Sequence, residues 1–231
     1  MKTKTILLVG LMMLFSACNA RISSEIYLVD IDEVADIGDI ATKVKIGLPI
    51  SSQDECDEKR QEYEAMFSKS TGFKGMEFVR CYVDGYNDFA EYELDVPIRM
   101  VDPYQTSMEG VFEIIRHDDS ATNNRHMYVR SNPSLLCNLD KIMREDTYRS
   151  LDLSDTSPLI TVSNDFREPQ TLILNQVFVN GSPLIEPTEI VLDRRDSISI
   201  TLSDVTSAWI FNKSCSINSR TALVGIWAQG D

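Results

Sequence analysis

His117 and His126 are the chain's two histidines, and they bound one polar stretch, HDDSATNN, that also holds Asp118 and Asp119. Two imidazoles and a carboxylate brought together across a hairpin could hold a transition metal. The stronger expectation is a solvated loop tip, because only hydrated carboxylates are at hand to complete a ligand set. No metal and no cofactor is therefore expected. Nucleophile elbows, H-E-x-x-H helices, P-loops and dinucleotide fingerprints do not occur, and nothing in the pattern brings a serine to either histidine. The acid run DECDEKRQEYE follows helical periodicity, which makes it a solvated helix face in preference to a set of calcium ligands. No catalytic residue is assigned, and these observations point away from an enzyme.

The five cysteines are the other chemically capable residues. Cys18 stands apart, at the exit of ILLVGLMMLFSACNA. Lys2 and Lys4 precede an apolar run from Ile6 to Phe15, and Ser16, Ala17 and Cys18 follow. That order makes a bacterial secretory signal over residues 1–17; the run is too short for a bilayer span, which takes roughly 20 residues. The Ser-Ala-Cys exit resembles a lipobox, in which the chain is cut before the cysteine and the cysteine is acylated. Phe15 departs from the leucine usual three places earlier, and ordinary cleavage after Ala20 is the competing expectation. By resemblance to the sorting rule of Gram-negative lipoproteins, Asn19 points to the outer membrane, facing either the periplasm or the surface.

The formal net charge of −14 disfavours contact with nucleic acid or anionic headgroups. Acyl chains would then hold the protein at the membrane while its body stays off the lipid. In an oxidising compartment the remaining cysteines, Cys56, Cys81, Cys137 and Cys215, read as two disulfides with three conceivable pairings.

Periodicity narrows the pairings. TKVKIGLPI (42–50) alternates as a half-buried strand. Ser52 and Glu55 then form a capping box for a helix that carries Cys56, Tyr63, Met66 and Phe67 on one face, with Gly72 as its stop. In MEFVRCYVDGYNDFAEYELDVPIRM, Ala90, Tyr92, Leu94, Val96, Ile98 and Met100 share one parity and Glu91, Glu93, Asp95 and Arg99 the other. Asp84-Gly85 opens a hairpin turn, and Pro97 implies an edge or a frayed ladder. Cys81 shares parity with Val79 and Val83, so Cys56 and Cys81 meet in the helix–sheet seam if that parity points inward. VFEIIR and HMYVRS predict a second hairpin, followed by a helix capped by Asn132 with Pro133 in its first turn. Cys137 falls nearly opposite the apolar face of that helix, where Cys215 is the partner left for it.

From Ser154 the pattern changes to LITVSN, TLILNQVFV, TEIVL, SISITL and ALVGIWA, with a strong turn at Asn180-Gly181. The expectation is an α+β fold: residues 18–153 as an antiparallel sheet with packed helices, and residues 154–231 as a small β-sandwich-like domain. SDVTSAWIF reads as a single helical turn.

The order Cys18, SSEIYLVDIDEVADIG, KVKIGLPI, a Cys56 helix and EFVRCYVDGYNDFAEYELDVPI resembles small uncharacterised lipoproteins encoded by enterobacterial prophages and other mobile elements. Beyond Ile98 the likeness holds only in element order. It implies a setting in place of a reaction: a lipid-anchored envelope protein that binds another envelope protein and modifies the host surface, for instance in superinfection exclusion. A structural accessory lipoprotein of a secretion or conjugation machine is the alternative. Labelled palmitate should enter the wild-type protein and not Cys18→Ser; equal labelling of both, or of neither, would contradict acylation at Cys18.

Overall fold

The computed structural model describes residues 20–228 except 106, 107, 123, 148, 149, 151, 152 and 155. Cys18 and the expected signal lie outside the described residues. The chain runs β1 (Arg21–Tyr27), α1 (Leu28–Ile37), β2 (Ile40–Ile50), α2 (Cys56–Lys69), β3 (Glu77–Asp84) and β4 (Asn87–Met100). It continues with β5 (Phe112–Asp119), β6 (Asn124–Ser131), α3 (Pro133–Thr147), β7 (Leu159–Ser163), β8 (Gln170–Leu174) and β9 (Val177–Val179). The last elements are β10 (Ser182–Leu184), β11 (Thr188–Leu192), β12 (Ser197–Leu202), α4 (Asp204–Phe211) and β13 (Arg220–Ala228).

All described strands belong to one sheet, in the order β10-β9-β12-β7-β1-β2-β4-β5-β6-β13-β8-β11, with β3 added on β4, and the sheet rolls into a nearly closed, barrel-like form. This corrects the expected α+β fold with a small sandwich domain. The strands after Ser154 pair with one another, β7, β12, β9 and β10 in one run and β13, β8 and β11 in another, but they do not close a sandwich of their own. β7 pairs in parallel with β1, Ser23 opposite Leu159, while β13 pairs with β6 and β8. The C-terminal third thus extends both arms of the sheet begun by the first part. Side-chain alternation is the same in a sandwich face and a barrel wall, so it could not distinguish them.

The roll turns at β4. One of its edges pairs with β2 from Asp88 to Ile98. The other pairs with β3 up to Glu93 and with β5 only from Ile98 onward. That second edge is free between the two partners, which accommodates Pro97, a residue with no ladder donor. Inside, Ile22, Val44, Val96, Phe112, Ile114, Ile160 and Phe211 converge. Helix α1 covers one end, where Leu28 and Ile31 sit beside Met127, Leu172 and Trp227 of the opposite arm.

Local departures have physical causes. A 3₁₀ turn, Gln53–Glu55, precedes α2, and the Ser52 side chain makes no cap bond, so the capping box does not form. Gly72 is no helix stop: α2 ends at Lys69, and a Cβ at Gly72 would lie 2.8 Å from Leu135 Cδ1. The glycine lets α3 approach. Gln176, at φ 57°, breaks TLILNQVFV into β8 and β9, which go to different arms. SDVTSAWIF forms the eight-residue α4, with Ser203 accepting from the Thr206 amide.

Cys56 is bonded to Cys81 with Cα atoms 6.2 Å apart, and Cys137 to Cys215 at 5.4 Å. The first bond does lie in the seam, and of the expected parity only the Val79 part fails. A β-bulge between Phe78 and Arg80 puts Cys81 opposite Ala90 and Phe78 opposite Tyr92, so Val79 leaves the parity of Cys81 and is exposed, while Val83 keeps that parity opposite Asp88 but is exposed too.

Crossings between the arms meet at Asn164, which is fully buried. Its Nδ2 donates to the carbonyls of Leu192 (2.9 Å), Glu168 (3.0 Å) and Asp193 (3.3 Å). Its Oδ1 accepts from the Phe166 amide at 3.0 Å. One side chain therefore ties the β7–β8 and β11–β12 connections together. Asn164→Ala should lower unfolding stability by about 3 kcal/mol, since buried carbonyls lose their donor; an unchanged urea midpoint and slope would contradict that role.

Candidate functional site

The β5–β6 ladder makes His117 and His126 direct partners, with ring centroids 6.4 Å apart. The carboxylates between them are committed elsewhere. Arg116 donates from Nε and Nη2 to Asp118 at 2.6 and 2.7 Å. Asp119 folds the turn, accepting from Thr122 Oγ1 at 2.7 Å and the Ala121 amide at 2.9 Å. The Arg116 hydrogen bonds hold the Asp118 carboxyl below its ordinary range, and the Thr122 hydroxyl does the same for Asp119. His126 Nδ1 lies 3.3 Å from the Tyr128 hydroxyl. Among the described residues, no group of three or more His, Cys, Asp or Glu side chains is arranged to hold a metal ion.

The histidine hairpin instead belongs to the clamp on α1. Arg116, almost fully buried, also donates to the carbonyls of Ile31 (3.1 Å) and Asp32 (2.7 Å). Arg125 pairs with Asp32 at 2.8 Å and lies 4.6 Å from the Trp227 ring centroid. The acidic run on α2 makes near-neighbour pairs on its own helix, Lys59 with Glu62 and Arg60 with Glu64.

A different surface has the form of a binding site. Two hollows, of about 430 and 520 Å³, share Ser23 and Leu159 and so make one groove along the outer face of β1. Ser23, a small side chain on the outward parity of β1, lies where the two hollows meet. At one end stands a stacked wall: Arg21 lies 5.3 Å from the Phe89 centroid, Phe89 stacks on Tyr82 at 5.4 Å, and Arg80 lies 5.2 Å from Tyr82. Gly47 makes that wall fit, because a Cβ there would come within 2.9 Å of the Tyr82 hydroxyl. At the other end are Glu25, Tyr27, Asp30, Lys43, Lys45 and Glu93. Burial, with Asp165 and Glu33 nearby, pushes the Asp30 carboxyl up, while a hydrogen bond to Glu25 raises the Tyr27 phenol.

This groove was not read from the sequence. Its one available signal is Phe89, an aromatic on the parity otherwise taken by Glu91, Glu93 and Asp95. A second unread feature is the ion pair of Glu113 with Arg130, both buried. Arg130 Nη1 also donates to the Gln105 carbonyl at 2.9 Å, which ties the segment after β4 to the sheet.

The model of a family described as a domain of unknown function (DUF7424) matches residues 20–218. The chain belongs to that family. The match begins at the first strand, ends just before β13, and includes the groove and both disulfides. No curated protein and no solved structure matches the chain.

Because Asp118 has a depressed carboxyl pKa in the fold, its pair with Arg116 stabilises the protein above the ordinary carboxylate range. That contribution is lost as pH falls through the lowered value. The stability gap between wild type and Asp118→Asn should be present at pH 7 and close towards pH 2 in urea titrations. A gap that stays constant with pH would contradict the assignment.

Proposed function

We propose that this protein is a lipid-anchored envelope protein that acts by binding another envelope protein and is not an enzyme. The observation that carries the reading is the cysteine pattern. Cys56–Cys81 and Cys137–Cys215 take up four of the five cysteines, which leaves Cys18, at the exit of the secretory signal, for acylation. Two such bonds fit an oxidising compartment. The acidic body is repelled by nucleic acid, so the partner is a protein.

The β1 groove is the proposed contact. It is long and open, with an aromatic–arginine wall at one end and mixed charge at the other, a composition that suits an extended polar segment. Aromatic and arginine side chains are also the types that dominate interface energetics. The mobile-element setting implied by the sequence resemblance makes that partner a host surface protein. A photo-crosslinking residue at Lys45, in the groove, should give one discrete adduct in intact cells, while the same residue at Glu189, on β11, should not. Stoichiometric adducts with several components of one assembly would favour the accessory role. No adduct at position 45 would contradict the groove as the contact.

A further inference from the structure

Several exposed apolar side chains of the barrel gather at the end where the described chain begins. β1 starts at Arg21, whose Nη2 pairs with Asp84 Oδ2 at 2.8 Å. Asp84 closes β3 and leads into the turn that holds Tyr86, which is fully exposed, next to Val83 at 58% exposure. The ladders bring two more to the same end. β7 begins with Leu159 opposite Ser23 of β1, and Thr201 of antiparallel β12 faces Leu159. Leu202 therefore ends β12 at this end, and Val205, 81% exposed, sits in the first turn of α4 beyond it. Leu202 also faces Val177, which faces Leu184, and Ile185 follows with 83% exposure.

Cys18 is two residues before Ala20. Two peptide steps reach at most about 7 Å, so acyl chains on Cys18 would enter the bilayer directly beside this end. We infer that this end of the barrel rests on the bilayer, with Tyr86, Val83, Ile185 and Val205 seated at the boundary between headgroups and acyl chains. The inference rests on the anchoring proposed above and adds the orientation of the body. Tyrosine favours that boundary, its ring apolar and its hydroxyl wet. Small apolar tips on a folded body add to a lipid anchor without crossing the membrane. Glu186 and Asp204, neighbours of these tips, stay hydrated and limit insertion to side-chain depth. They also make zwitterionic lipid the suitable surface, since anionic headgroups repel them. The β1 groove then rises from the membrane, and α1 with the histidine hairpin faces away.

The test uses full-length protein purified from membranes, its acylation checked by intact mass, in phosphatidylcholine–phosphatidylethanolamine vesicles. An environment-sensitive fluorescent amino acid replaces Tyr86, Val205 or, at the opposite end, the exposed Ile37. The expected result is a blue shift and quenching by shallow nitroxide-labelled lipid at positions 86 and 205 but not at 37. Acylated protein with no more quenching at 86 and 205 than at 37 would overturn this inference alone. A mass without acyl chains would overturn the anchor reading, and this orientation with it.

Discussion

Strand β4 has to serve two partners along one edge, and the shape of the molecule follows from how it divides them. Its first half belongs to β3 and its last residues to β5, while β2 follows the other edge almost throughout. A flat sheet cannot hold β3 and β5 in one layer beside the same strand without a fork. At the fork the second arm turns over the first, and each arm covers the apolar face of the other. The even-numbered face of β4 serves both sides of the division: Val96 lines the interior, and Tyr92 packs under α2 against Tyr63 and Phe67. Moving β4 by one residue would exchange Tyr92 and Leu94 for Glu91 and Glu93 on that face.

The fork exposes the β3 hairpin, and the disulfides meet that cost. Cys56–Cys81 fixes α2 to β3, and Cys137–Cys215 fixes α3 to the segment between α4 and β13. On the chain-entropy estimate, loops of these lengths are worth about 3.5 and about 4.5 kcal/mol, comparable with a large share of the 5–15 kcal/mol typical of a domain. Both bonds act on the helices that pack over the fork, while the rest of the barrel relies on its core. Gly72, by admitting Leu135, allows the two helices to close over it together.

What could be read from the sequence was local. The parity of Ala90 to Ile98, the cap of Asn132 on α3, whose Oδ1 accepts from the Ser134 and Leu135 amides, and the tight turn at Asn180-Gly181 depend on neighbours in the chain. The parallel β1–β7 pair joins segments far apart in sequence, and no periodicity encodes it. Helix α1 gave little sign of itself because Tyr27 caps it without a side-chain bond. The bulge at Val79 takes that residue off the parity of Cys81, while Cys81 stands opposite Ala90, and no local pattern in the sequence marks the bulge. The groove was hidden for another reason: its wall needs Gly47, Tyr82 and Phe89 from three strands, and a space left by a glycine is visible only after folding.

Because the C-terminal third is part of the same sheet, the groove gains its β7 side and Val205 and Ile185 come to the end where the described chain begins. Native-state hydrogen exchange tests this directly. Amides of β7 and β12 should be protected to the same free energy as those of β1, β2 and β4, and all should lose protection together as denaturant is added. If β7 to β13 open as a separate unit at lower denaturant while β1, β2 and β4 stay protected, the single-sheet account is contradicted.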